Sequence, residues 1–117
     1  MAITGFPSGG YNFQAKTPNI TTHAISGSTA WATVSTVSGS GLLTGIGQVV
    51  GGTAGTSALK ITLDGNLVYD SSLGVDYSGN QTLGMSFAHK FNTSMLVEHK
   101  IDNASGNLTT TVSYLTN

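Results

Sequence analysis

The sequence predicts an all-β chain: an eight-stranded antiparallel sandwich of two sheets, of the jelly-roll kind, with an extended N-terminal arm. Three observations carry that expectation. Apolar and polar residues alternate with period two in several stretches. Those stretches are separated by Gly, Asn, Asp and Ser at turn spacing. No window of twelve residues carries a 3.6-residue apolar stripe, so a helix would have no face to bury.

Residues 1–18 stand apart as the arm, and 19–117 form the sandwich domain. The arm holds both prolines and three aromatics, Phe6, Tyr11 and Phe13, with no periodicity. Disordered tails are usually poor in aromatics. These rings are therefore candidate anchors for grooves on a neighbouring subunit, against the plainer reading of an unstructured terminus. The strands expected after Pro18 are Ile20–Ile25, Ala30–Val37, Leu42–Val50, Ser57–Leu63, Leu67–Ser72, Leu83–His89, Thr93–Ile101 and Asn107–Leu115. Alternation is clearest in three of them. Leu59, Ile61 and Leu63 oppose Lys60 and Thr62. Met95, Val97, His99 and Ile101 oppose Leu96, Glu98 and Lys100. Leu108, Thr110, Val112 and Tyr114 oppose Thr109, Thr111 and Ser113. Between Leu63 and Asn66, Asp64-Gly65 is the dipeptide of a type I′ hairpin, because glycine takes positive φ freely. Gly45, Gly47 and Gly84 fall inside strands, where glycine weakens the ladder by about 0.5–1 kcal/mol relative to alanine. Each is expected to mark a bulge or a close backbone approach, in weak and bent strands. An immunoglobulin-like sandwich is the competing architecture, but its cysteine pair is missing.

At 117 residues the chain fits one domain. Its charged fraction of 8% is far below the usual ~25%, while Thr, Ser, Gly and Asn make up 55 residues. Such a surface is either covered by neighbours or kept soluble by hydroxyls and amides. With net charge −1, no arginine and Lys16, Lys60, Lys90 and Lys100 scattered along the chain, nucleic acid is not an expected partner. Cysteine is absent, which excludes disulfides and thiolate metal sites. The N-terminus has no basic region followed by an apolar core, so it does not read as a signal peptide. No apolar run approaches the ~18 residues of a membrane span. The expectation is synthesis in a cytoplasm, with no membrane partner.

Catalytic chemistry is not expected, nor is a cofactor or metal. The metal-binding jelly rolls called cupins use a His-x-His pair, whereas His89 and His99 are each followed by lysine and His23 stands alone. His99 reads as a partly buried side chain in line with Val97 and Ile101, and His23 and His89 as surface or interface residues. No Gly-x-Ser-x-Gly elbow singles out one of the serines as a nucleophile. The acids Asp64, Asp70, Asp76, Glu98 and Asp102 form no opposed pair of the glycosidase type. Asp64, Asn66 and Asp70 lack the remaining ligands of a calcium loop, and hairpin geometry accounts for them. The Asn-x-Ser/Thr triplets at Asn19, Asn80, Asn92, Asn103 and Asn107 read as polar turns. Trp31 is expected in the core, or else, with Tyr77, as a ligand-facing aromatic for sugar stacking.

In VSGSGLLTGIG (Val37 to Gly47), KITLDGNLVYD (Lys60 to Asp70), FNTSMLVEHK (Phe91 to Lys100) and the closing Thr111-Val112-Ser113-Tyr114, the chain resembles small β-sandwich virion proteins of tailed bacteriophages. The resemblance covers residues 37–115. It implies a jelly-roll capsid decoration, or cement, protein on the outer surface of the head. Its partners would be the major capsid protein and itself, as a homotrimer. Some tail-fibre and receptor-binding tips share this sandwich. Recognition of host surface carbohydrate, through loops such as Gly74–Gln81, is therefore the alternative the resemblance leaves open.

Overall fold

The computed structural model describes residues 17–26, 30–52, 55–70, 75–77, 81–101 and 106–117. They form nine strands: β1 Thr17–Ser26, β2 Ala32–Ser38, β3 Gly41–Gly52, β4 Gly55–Leu63, β5 Asn66–Asp70, β6 Val75–Tyr77, β7 Gln81–Phe91, β8 Ser94–Ile101 and β9 Gly106–Thr116. One sheet has the order β1-β9-β3-β7. The other has the order β2-β8-β4-β5, with β6 also on β4. All pairings are antiparallel.

The topology is that of one long hairpin rolled up on itself. The turn at Asp64-Gly65 is its tip, with φ of 54° and 80° at the two residues and Leu63 opposite Asn66. Working back from the tip, β4 pairs with β5 and β6, β3 with β7, β2 with β8, and β1 with β9. Thr17 thus lies opposite Thr116. Two further ladders, β3 on β9 and β4 on β8, close the roll. This is the jelly roll expected from the sequence.

Several boundaries differ from the expectation. β1 opens at Thr17, inside the segment read as arm. The fifth expected strand, Leu67–Ser72, is β5, and a further short strand, β6, follows it. β5 pairs Lys60–Leu63, β6 pairs Gly55–Ser57, and both run along the same edge of β4. β6 falls in the stretch read as a loop, because three residues are too few to show alternation. Gly45 lies at a register shift in β3, as expected. Gly47 and Gly84 instead face each other in an undisturbed ladder, and β3 is the longest strand. Its backbone is bonded on both sides, to β7 and β9, which offsets the missing side chains.

The inward-facing residues follow the alternation seen in the sequence, with β8 reading buried at Met95, Val97, His99 and Ile101. The main core gathers Val34, Leu43, Ile46, Leu59, Ile61, Leu63, Phe91, Met95, Val97 and Val112. A smaller core holds Val50, Ile101 and Leu108, with Ile25 packed on it. Between the two lies a row of polar side chains.

Candidate functional site

That polar row is set by register. His23, Thr110 and Gln48 are direct neighbours across β1, β9 and β3, and all three face the second sheet. His99 of β8 meets them from that sheet. His23 Nδ1 lies 2.9 Å from His99 Nε2, and His99 Nδ1 lies 2.7 Å from Thr110 Oγ1. Gln48 Nε2 donates to the same hydroxyl at 3.1 Å. The two rings are tilted by 54° with centroids 5.1 Å apart. His99, Thr110 and Gln48 are buried and His23 is half-buried. Burial, and then the neighbouring His23, push the His99 pKa from 6.5 down to about 4. His99 is therefore more buried than the sequence implied, and His23 is not a free surface residue. The signal for His23 lies in its register against Thr110, which one sequence does not show.

The two outer faces differ in charge. On the β2-β8-β4-β5 sheet, register places Glu98, Lys60 and Asp70 in one outward row, with Lys100 on the next. Trp31, just before β2, is half-buried outside both core clusters. Lys60 Nζ lies 4.2 Å and Lys100 Nζ 4.9 Å from its ring centroid, distances at which a cation is attracted to the π face. Two lysines that are scattered in sequence thus converge on one aromatic. The β1-β9-β3-β7 sheet shows the opposite character. Its outward rows include Ala24–Thr109–Val49–Thr82, Thr22–Thr111–Gly47–Gly84 and Ile20–Ser113–Gly45–Ser86. Across the outward positions of those four strands Lys90, opposite Leu42, is the one charge. Ile20 is 74% exposed and Val49 51% exposed on this face.

Asp64 uses its carboxylate at the tip of the roll. Oδ1 accepts from the backbone N–H groups of Asn92, Thr93 and Ser94 at 2.9, 2.7 and 3.2 Å, and from Thr93 Oγ1 at 3.0 Å. These bonds, led by that from Thr93 N–H, hold the carboxyl below its ordinary pKa of 3.8. The residue sits in the hairpin that the sequence implied, and its carboxylate also joins that turn to residues 92–94. Among the described residues no group of three or more His, Asp or Glu is placed to hold a metal ion. Phe6, Tyr11 and Phe13 lie outside the described residues. Tyr77 falls in β6, and its side chain is outside the description, as is most of the loop 74–81.

No protein-family model matches this chain, and no curated protein matches it. Among solved structures, the chain is similar to one described as the structure of infectious bursal disease virus Gx strain. Identity there is 12%, with a TM-score of 0.43, covering 88% of this chain and 38% of the other. It is also similar to the Gt strain structure, at 13% identity and a TM-score of 0.37, covering 89% and 36%. The chain thus spans little more than a third of the length of either. Likeness of that degree carries no functional argument, and function has to be read from the chain's own surfaces.

Proposed function

We propose that this protein is a virion structural component: a capsid decoration protein of a tailed bacteriophage that acts by binding, without catalysis. It would clamp major capsid subunits from outside, as an oligomer, at the capsid surface. The observation that carries the reading is the unequal charge of the two faces. A sheet face left in solvent normally carries charge, and the face bearing Lys60, Glu98, Asp70 and Lys100 does. The opposite face offers Thr, Ser, Gly and exposed Ile20 and Val49, a composition suited to close contact with another protein. Four strands about 4.8 Å apart and about ten residues long give a patch of roughly 600 Å². Doubled across a contact, that reaches the low end of specific interfaces, about 1,200 Å². Copies gripping a shell together gain avidity that one such contact lacks.

Co-sedimentation with purified empty heads of the encoding phage tests this. Val49→Lys on the uncharged face is expected to weaken binding at least tenfold. Thr36→Lys, an exposed position on the charged sheet, is expected to leave it unchanged. Equal binding by both variants would contradict the assignment. A tail-fibre tip recognising host carbohydrate would show the reverse pattern: adsorption indifferent to Val49→Lys and lost with Trp31→Ala.

A further inference from the structure

The polar row between the two cores is a chain of three contacts. Thr110 Oγ1 accepts from the Gln48 amide and has His99 Nδ1 as its second partner, and His99 Nε2 faces His23 Nδ1. A neutral His99 donates from one ring nitrogen and accepts at the other, so either tautomer satisfies both of its contacts.

Protonation breaks the match. A second proton on His99 leaves its ring with two N–H donors, and so removes the acceptor from its contact with His23 or from that with Thr110. It also places a charge between two apolar clusters. Among the described residues, the elements around His99 supply no counter-charge. It meets His23 from β1 and Thr110 from β9, with Gln48 of β3 bonded to the same hydroxyl, and its register neighbours are Leu59 of β4 and Ala32 of β2. Glu98 and Lys100, on either side of it in β8, point to the outer face.

We propose that the His23–His99 contact is an acid-sensitive latch that seats the edge strand β1 on the opposite sheet. Among the described residues β1 has a ladder on one side alone, to β9, and His23 bonds to His99 of the other layer. In mild acid the latch opens, and β1 loosens. The low pKa of His99 agrees with this, since its neutral form is the one the fold holds. The latch is independent of what the outer faces bind.

Native-state hydrogen exchange of the full chain from pH 7 to pH 4, corrected for intrinsic rates, tests the proposal. Protection of the β1–β9 amides is expected to fall on the order of 100-fold across that range. His99→Gln keeps polar partners for Thr110 and His23 but does not titrate, and it is expected to flatten the response. Should that variant not fold, His23→Gln serves instead. Its amide can turn either oxygen or nitrogen toward His99, so it too is expected to blunt the acid response. Constant protection of β1 in the wild type, or undiminished acid sensitivity in the folded variant, would each overturn the latch.

Discussion

A Cβ added at Gly41 would collide with the Leu115 carbonyl oxygen and the Phe91 ring, both fixed in the fold. At Gly84 it would meet nothing within 4 Å. Gly41→Ala is therefore expected to destabilise the protein by about 1–3 kcal/mol in denaturant titration. Gly84→Ala is expected to be neutral or to stabilise by about 0.5 kcal/mol, since alanine narrows the unfolded ensemble. The sequence marked Gly84 as a site of backbone approach and did not single out Gly41. The difference is packing: Gly41 sits where β9 and Phe91 close over the end of β3, a contact between residues far apart in the chain. His99 illustrates the same limit. Its burial was legible from Val97 and Ile101 on either side, but its partners His23 and Thr110 come from two other strands. The fold's preference for neutral His99 also gives stability a pH dependence. Its pKa is lower in the fold than in the unfolded chain, so stability is full above about 6.5 and falls as the pH drops toward about 4. Equilibrium unfolding should show a slope of up to about 1.4 kcal/mol per pH unit there.

At the scale of elements, the hairpin tip does more than reverse the chain. Asp64-Gly65 was legible as a type I′ turn because only a few residue types accept its dihedral angles. Its carboxylate, however, also satisfies the backbone of the β7–β8 connection, and that role depends on where the roll brings residue 92. Asp64→Ala, which leaves those N–H groups to water and puts alanine at a φ of 54°, is expected to lower the melting temperature. The sign of the pH effect is opposite in origin to that of His99. The folded carboxyl titrates below its ordinary value of 3.8, so its contribution is present above that pH and is lost as the pH falls through and below it. In Asp64→Ala this most acidic part of the stability profile should flatten while the His99 part remains. The strands themselves were readable wherever one face is buried, as in β4, β8 and β9. β6 was not readable, because it is short, and β1 ran longer than its apolar residues implied, because β9 extends its ladder to Thr17.

At the scale of the whole molecule, strand pairings that join Thr17 to Thr116 and Gly41 to Phe91 make the contacts predominantly non-local. Loop closure must precede their reward, so refolding is expected in milliseconds to seconds by stopped-flow fluorescence of Trp31, and not in microseconds. The low overall charge was visible in composition alone. Its separation onto one face was not, because outward positions of four strands become neighbours only once the roll is closed. That separation underlies the proposed role, and as an oligomer the 11.9-kDa chain is expected to run as a trimer in light scattering. Hydroxyl-radical footprinting of the protein free and bound to purified heads tests the central claim most directly. Ile20, Val49 and Leu115 should lose reactivity on the head while Trp31 and Leu67 keep theirs. Shielding of Trp31 and Leu67, with Ile20 and Val49 left reactive, would contradict it.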